Sequence, residues 1–199
     1  MPVPEHGAPC PHCGGKGLYP FEKVLRLGTY HDPLRHLVHR MKYEHQWPLG
    51  EHFAERLLAQ ERVKRILNEH VRETQVLVAV PLHRFRQISR GFNQARVIAD
   101  WLGKKSEIPR ATPLVRLRNT ETQTNLHSRA KRVENLKDAF GLVDSKRVAG
   151  KHVVLIDDVM TSGATLQAAG RALLEAKPAS LCTIVVAIAD PLRQDFQAI

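Results

Sequence analysis

The chain has 199 residues, of which 43% are hydrophobic and 25% are charged, so it can bury one sizeable core and is not intrinsically disordered. Thirty Lys and Arg against 20 Asp and Glu give a formal net charge of +10. Such a basic surface attracts phosphates on nucleic acid or on a small substrate, unless it serves solubility alone. The longest apolar run is too short to span a membrane, the start does not read as a signal peptide, and 3 cysteines cannot form a disulfide framework. We therefore expect a cytoplasmic protein without membrane insertion.

The first 20 residues form a segment of their own, because the density of proline and glycine allows neither a helix nor a long strand. Cys10 and Cys13 in this segment supply two thiolates, whereas a structural Zn²⁺ ion takes four ligands. His6 and His12 lie nearby, but residues so close in sequence rarely surround one metal. We expect a remnant of a zinc-finger-like segment rather than bound zinc.

The rest of the chain alternates strand and helix patterns. We predict a strand over 23–30, a helix from Asp32 as N-cap with Pro33 in its first turn, and a second helix from Pro48 to about residue 67. A buried strand over 76–80 and a helix capped by Ser89 follow. The later predicted elements are a weak strand over 112–117, a polar loop over 118–126, a short helix over 128–136, strands over 153–156 and 181–189, and between these a helix over 164–176.

This alternation predicts an α/β fold, with a mostly parallel, twisted sheet covered by helices on both faces. The predicted division is a segment 1–20 and a domain 21–199, whose first part, 21–70, has no recognisable signature.

The most informative segment runs from Val153 to Thr165. Four apolar residues predict a central strand, and Asp157 and Asp158 follow where we expect the strand to end. A turn with small hydroxyl residues and a glycine then leads into a helix, so it offers backbone N–H groups and a positive helix end to a phosphate. The acidic pair beside it can accept hydrogen bonds from vicinal hydroxyls. Together they predict a ribose 5-phosphate site, although an Asp-Asp pair alone would fit an ordinary strand–turn–helix.

The same segment resembles the phosphoribosyl pyrophosphate (PRPP) motif of type I phosphoribosyltransferases. More narrowly, the chain resembles the ComF or GntX family, an amidophosphoribosyltransferase-like family linked to DNA uptake and use in bacteria. The residues that carry this narrower resemblance are Tyr30, Leu37, Lys42 and Tyr43, the stretches 81–84 and 89–94, and Arg116, Arg118, Thr120, Thr122, Gln123, Leu126, Arg129, Arg132, Asn135, Ala139 and Phe140. The family usually has further cysteine pairs at its N-terminus, and this chain departs from that pattern.

The resemblance implies a role for each part of the site. The acidic pair would bind the ribose 2- and 3-hydroxyls, directly or through Mg²⁺ held by the pyrophosphate, and the loop after the buried strand would bind the pyrophosphate. The polar loop would close over PRPP as a lid, and residues 21–70 would be the variable hood that recognises the acceptor. The implied catalytic residues are Asp157, Asp158 and Arg118, and the implied donor-binding residues are Leu82, His83, Arg84, Arg90, Gln123, Thr161, Ser162, Gly163, Ala164 and Thr165.

Three hypotheses about function stay open on the sequence. The first is a Mg²⁺-dependent phosphoribosyltransferase that uses PRPP or a related ribose 5-phosphate, with an unidentified acceptor. The second is a non-catalytic protein that senses PRPP or handles single-stranded DNA. The third is an interaction protein that docks onto DNA-uptake proteins through its N-terminal segment. The sequence offers no residue that stands out as a general base.

Overall fold

The computed structural model describes residues 17–118 and 139–189. The strands are β1 (Lys23–Thr29), β2 (Gln75–Ala79), β3 (Arg110–Ala111), β4 (Leu114–Arg116), β5 (Phe140–Leu142), β6 (His152–Met160) and β7 (Ser180–Ile188). The helices are α1 (Leu34–Tyr43), α2 (Leu49–Leu58), α3 (Glu61–Leu67), α4 (Arg84–Arg90), α5 (Gln94–Ser106) and α6 (Ala164–Leu174), and short 3₁₀ turns cover Arg72–Thr74 and Ser145–Arg147.

A five-stranded parallel sheet in the order β1-β7-β6-β2-β3 forms the centre of the fold. Its middle strands are nearly continuous runs of buried β-branched and aliphatic residues, as expected where helices cover both faces. The predicted α/β class is confirmed. Strands β4 and β5 form a separate antiparallel pair.

The alternation of side chains along β6 divides the core into two layers. Val153 and Leu155 pack with α6 and the β4–β5 pair, whereas Val154 and Ile156 pack with α1, α2, α3 and α5. This period of two follows from the pleat of the strand, and each layer buries one face of the sheet.

The order of the strands creates a switch point between β2 and β6. From β2 the chain passes through α4 and α5 to β3 on one side, whereas β6 lies on the other side and continues through α6 to β7. Ligands of open α/β sheets bind at the carboxyl ends of the strands at such a point. We therefore expect the ligand site of this fold at the loops that follow β2 and β6.

The single helix predicted after Pro48 is wrong, because the chain forms two helices there, α2 and α3. The break falls at Gln60, whose backbone is extended at φ −85° and ψ 123°. Its side-chain amide donates to the carbonyl of Leu27 in β1 at 3.0 Å, so the break is fixed by a contact with the sheet that no local pattern reveals.

Two predicted helix caps are also wrong. Pro33, not Asp32, is the N-cap of α1, and the backbone carbonyl of His31 accepts from the N–H of Arg35 at 2.8 Å in the first turn. Ser89 lies inside α4, and the cap of α5 is Asn93, whose side chain accepts from the N–H of Arg96.

None of the helices within the described residues has the length and apolar character that a membrane span requires.

Candidate functional site

The acidic pair lies at an open edge of the sheet. Ile156 is the last residue of β6 that pairs on both sides, with Ala79 of β2 and Ile184 of β7. From Asp157 onward, β6 pairs only with β7 within the described residues. The pair therefore lies within the strand rather than after it, which corrects the sequence prediction. The reason is that β7 runs on beside it while β2 has already turned away.

Asp157 and Asp158 point to opposite faces of the sheet, as the pleat requires. The charge of Arg116, at the end of β4, acts on Asp157. On the other face, Oδ2 of Asp158 lies 3.1 Å from Nζ of Lys42 in the last turn of α1. The backbone reinforces both orientations, because Asp157 Oδ1 accepts from the N–H of Asp158 at 2.9 Å and Asp158 Oδ1 accepts from the N–H of Val159 at 2.6 Å.

Burial, followed by the neighbouring charge of Asp158, raises the pKa of Asp157 to about 7. The backbone hydrogen bond from Asp158 and the charges of Lys42 and Arg116 act in the opposite direction but do not cancel these effects. A carboxyl group kept at the edge of ionisation at neutral pH is unfavourable for folding alone, and such groups are common at binding and catalytic sites.

The loop after β6 has the form of an anion cradle. Gly163, at φ +77°, is the N-cap of α6, and Ser162 Oγ accepts from the N–H of Ala164 at 3.4 Å. Thr161 and Thr165 are half-buried on either side of the turn. The positive end of α6 and its first N–H groups thus lie a few residues after the acidic pair. A Cβ on residue 163 would come within 2.6 Å of a Leu18 methyl group, so the turn is also tightly packed.

The turn after β2 lies beside the acidic pair because β2 and β6 are neighbours. Leu82 is half-buried, Arg84 is exposed, and His83 is buried with 6% of its surface exposed. His83 caps α4, its Nδ1 accepting from the N–H of Phe85 at 3.4 Å. Burial, followed by the charges of Arg84 and Arg116, lowers the pKa of His83. At neutral pH the imidazole is therefore the uncharged member of a basic cluster.

Guanidinium groups crowd this turn more than the sequence indicates. Burial, followed by repulsion from Arg86, lowers the pKa of Arg116 to about 10, while Asp157 opposes the shift. The pKa of Arg86 is lowered first by burial and then by repulsion from Arg90. Charges held so close together at the edge of a sheet favour an anion with more than one negative group.

Arg90 connects this cluster to the first helix. Its guanidinium lies 5.3 Å from the centre of the Tyr43 ring and donates to Gln94 Oε1 at 3.4 Å. Gln94 is buried, and its amide nitrogen has no hydrogen-bond partner within the described residues. A buried donor of this kind is unfavourable until a ligand or water accepts from it.

The structure brings most of the predicted site residues to one edge of the sheet. The segments 82–84 and 157–165 lie on the neighbouring strands β2 and β6 and their loops, and Arg90 lies on the helix that follows the first segment. Arg118 is exposed and lies two residues after the end of β4. Gln123, Cys10, Cys13, the remainder of the polar loop and the predicted helix over 128–136 lie outside the described residues.

Sequence reasoning missed Lys42, Arg86 and Arg116 as site residues. Two of them stood among the residues that carry the family resemblance, but without a role. Only the folded structure brings them to the site. Lys42 reaches Asp158 from a helix near the start of the chain, and Arg116 comes from the separate β4–β5 pair. No local spacing links either residue to the acidic pair.

The fold and this edge define an α/β protein with a candidate anion site at a topological switch point. The comparisons with known proteins agree with that description. Residues 55–197 match the family described as phosphoribosyl transferase domain.

Relatives extend the similarity over most of the chain. "Competence protein F" of Haemophilus influenzae is 34% identical over 173 residues, which cover 79% of this chain and 74% of that protein. "DNA utilization protein YhgH" of Salmonella typhimurium is 33% identical over 178 residues, covering 87% and 75%. "Competence protein ComFC" of Bacillus subtilis is 40% identical over 102 residues, covering 50% and 38%. The chain belongs to the phosphoribosyl transferase domain family and, within it, to the ComF group of competence and DNA utilization proteins.

Proposed function

We propose that this chain binds PRPP at the carboxyl edge of its sheet and transfers the phosphoribosyl group to an acceptor. One observation carries the proposal: a partly buried acidic pair is followed a few residues later by a glycine-containing loop at a helix N-terminus, and a cluster of arginines lies beside it. PRPP carries a phosphate, a vicinal diol and a pyrophosphate, and these three groups match the three parts of the site.

Each part of the donor is assigned to one part of the site. The N–H groups and hydroxyls of Thr161 to Thr165 would hold the 5-phosphate, and Asp157 and Asp158 would accept from the ribose hydroxyls. The turn Leu82–Arg84, with the guanidinium groups of Arg86 and Arg116, would bind the pyrophosphate. Arg118 and Gln123 would cover the bound donor.

The carboxylates of Asp157 and Asp158 are hard oxygen donors and fit a Mg²⁺ ion. Among the described residues, no group of three or more His, Cys, Asp or Glu side chains is arranged to hold a metal, so most ligands would come from the donor's pyrophosphate. When bound, Mg²⁺ would neutralise charge on the leaving group.

In the proposed reaction the bond between C1 of the ribose and the pyrophosphate oxygen breaks, and the electron pair leaves with the pyrophosphate. The acceptor then forms a bond to C1 with its own electron pair, and the proton that it loses passes to solvent or to the released pyrophosphate. The protein contributes orientation and charge: the arginines stabilise the leaving group, and the acidic pair lies beside the ring as positive charge develops.

Calorimetric titration with PRPP and Mg²⁺ tests binding, and release of pyrophosphate in the presence of nucleobases, amines and nucleic acids tests transfer. We expect PRPP to bind and at least one acceptor to release pyrophosphate. Binding without release from any acceptor would support a PRPP-sensing protein instead. Absence of binding would refute the assignment of the site.

A second candidate function, binding of a single nucleic-acid strand, is favoured by the surface of α4. This short helix carries Arg84, Arg86 and Arg90 together with Phe85 and Ile88, whose exposed fractions are 58% and 78%. Cations beside exposed apolar rings are typical of surfaces on which bases stack. The names of the relatives refer to competence and DNA utilization, which agrees with this candidate.

Titration with single-stranded DNA at several salt concentrations separates the two candidates. If α4 binds the strand, affinity for DNA falls steeply with salt, and Phe85→Ala weakens DNA binding several-fold more than PRPP binding, although Phe85 contacts His83 and Arg84 of the pyrophosphate turn. Val71→Ala is the matched control, because Val71 is 66% exposed and lies in another part of the described chain. Equal effects of the two substitutions would exclude α4 as the binding surface.

A further inference from the structure

Lys42 makes a contact that neither the family resemblance nor the proposed binding of PRPP assigns. It lies in the last turn of α1, and its ammonium group is 3.1 Å from Oδ2 of Asp158. Both side chains are largely buried, with 17% and 13% of their surfaces exposed. An ion pair this deep is not a solvent-screened surface contact, and removal of either partner leaves a buried charge.

The contact fixes the carboxylate of Asp158 in two directions. Lys42 holds Oδ2, and the N–H of Val159 donates to Oδ1 at 2.6 Å. Rotation of the carboxylate would break one of these bonds. Each carboxylate oxygen has room for a second hydrogen bond, so an oriented Asp158 can still accept from a ligand hydroxyl.

The pKa of Lys42 reflects its attraction to Asp158. Burial opposes the charged ammonium, but the attraction of Asp158 is strong enough that the pKa of Lys42 is raised. Tyr30 acts in the same direction and Arg90 in the opposite one. Lys42 thus places a permanent positive charge on the side of the acidic pair that faces α1, opposite Arg116.

We propose that Lys42 is a positioning residue of the donor site, which holds the Asp158 carboxylate in the orientation that recognises one ribose hydroxyl. The inference rests on the proposed function, since it deepens the role of the acidic pair. It also gives α1 a task beyond covering the sheet, because its last turn supplies the counter-charge for a residue in β6.

The test compares sugar phosphates that differ at one hydroxyl. Dissociation constants are measured for ribose 5-phosphate and for its 2- and 3-epimers, arabinose 5-phosphate and xylose 5-phosphate. The Asp158→Asn variant first identifies the hydroxyl that Asp158 recognises. It is the hydroxyl whose epimer the variant no longer distinguishes from ribose 5-phosphate. We expect Lys42→Met to reduce discrimination at that same hydroxyl roughly tenfold, as loss of one charge-assisted contact implies, and Lys42→Arg to retain most of it.

A double-substitution cycle separates positioning from simple stabilisation of the fold. If Lys42 acts through Asp158, the variant with both Lys42→Met and Asp158→Asn discriminates no worse than Asp158→Asn alone. Lys23→Met is the matched control, because it removes an exposed ion pair with Glu69, 2.8 Å long, near the amino-terminal end of the sheet. Thermal unfolding of every variant shows whether it is folded.

The outcomes are distinct. Unchanged epimer discrimination in a folded Lys42→Met variant, with discrimination lost in Asp158→Asn, would overturn the role of Lys42 and leave the donor site intact. Equal loss of affinity for all three sugars would also overturn it, because a purely structural ion pair predicts that result. Failure of the wild-type protein to bind PRPP or ribose 5-phosphate would instead reject the proposed function itself.

Discussion

The backbone N–H of Asp158 donates to Oδ1 of Asp157 at 2.9 Å, yet the two carboxylates occupy different electrostatic environments. Asp158 has the ammonium of Lys42 at 3.1 Å, whereas burial and the charge of Asp158 outweigh the favourable charges around Asp157. Asp158 thus has a cation within ion-pair distance, whereas the ionised form of Asp157 is disfavoured. This difference gives the two residues opposite expected effects on folding.

Asp157→Asn should stabilise the protein at pH 8. The pKa of Asp157 is about 7 in the folded chain and 3.8 ordinarily, so the folded state binds the proton more tightly. Stability contributed by this group therefore falls as pH rises from about 4 towards 7, and the full penalty is present above pH 7. A shift of about three pKa units corresponds to roughly 4 kcal/mol, but the asparagine amide is desolvated as well, so the substitution should raise the free energy of unfolding by only about 1–2 kcal/mol, or the melting temperature by roughly 2–8 °C.

Melting curves of Asp157→Asn and wild type at pH 5 and pH 8 check this expectation. The gain should be larger at pH 8 than at pH 5, because the wild-type carboxyl is largely protonated at the lower pH. The same variant should bind PRPP less tightly, since it has lost a carboxylate that would accept from the ribose. Loss of stability at pH 8 together with normal PRPP binding would identify Asp157 as a structural residue.

Asp158→Asn should have the opposite effect on stability. The substitution removes the counter-charge of Lys42 and leaves an ammonium group in a largely buried position. We expect the free energy of unfolding to fall by about 1–3 kcal/mol, measured by denaturant titration at pH 7. Glu69→Gln, which breaks an exposed pair of similar length, should change it by less than about 1 kcal/mol. Equal effects of the two substitutions would mean that burial of the Lys42–Asp158 pair has little energetic weight.

The elements that sequence patterns predicted well are those with a single strong periodicity. The strand β7, the helix α6 and the apolar first half of β6 follow directly from runs of apolar residues bounded by polar residues. The break between α2 and α3 was not predictable in this way. It depends on the extended backbone of Gln60 and its hydrogen bond to Leu27, a residue in a strand that lies earlier in the chain.

The site shows the same limit. The order of residues from Val153 to Thr165 predicted a cradle next to an acidic pair, and the structure has that order at the carboxyl edge of β6. The charges that surround the pair come from elements distant in sequence. Lys42 and Arg116 reach it only after α1 and β4 have packed against opposite faces of the sheet.

Arg116→Ala should weaken the binding of PRPP much more than the binding of ribose 5-phosphate. In the proposed site Arg116 faces the pyrophosphate, a group that ribose 5-phosphate lacks. Loss of one charge-assisted interaction costs about 1.5–3 kcal/mol, so PRPP affinity should fall by roughly 10- to 150-fold and ribose 5-phosphate affinity by only a few-fold. Arg147→Ala is the control, because Arg147 is exposed and pairs only with nearby Asp144 among the ion pairs described. Equal losses for both ligands would remove Arg116 from the pyrophosphate subsite.

Gly163→Ala should abolish tight binding of PRPP, and its effect on stability alone does not account for that loss. Both Gly163, at φ +77°, and Gly150, at φ +67°, have a backbone that alanine adopts at a cost of about 1–2 kcal/mol. A Cβ at residue 150 meets nothing within 4 Å, whereas at residue 163 it comes within 2.6 Å of Leu18 and lies in the loop assigned to the 5-phosphate.

We therefore expect Gly150→Ala to lower the melting temperature by a few degrees and leave PRPP affinity unchanged. Gly163→Ala should lower it at least as much and weaken PRPP binding at least tenfold, because relief of the strained backbone at the N-cap of α6 would turn the first N–H groups of the helix away from the 5-phosphate. Calorimetric titration of the two folded variants with PRPP and Mg²⁺ provides the measurement. A Gly163→Ala protein that binds PRPP as tightly as the Gly150→Ala protein would show that the 5-phosphate does not lie in this loop.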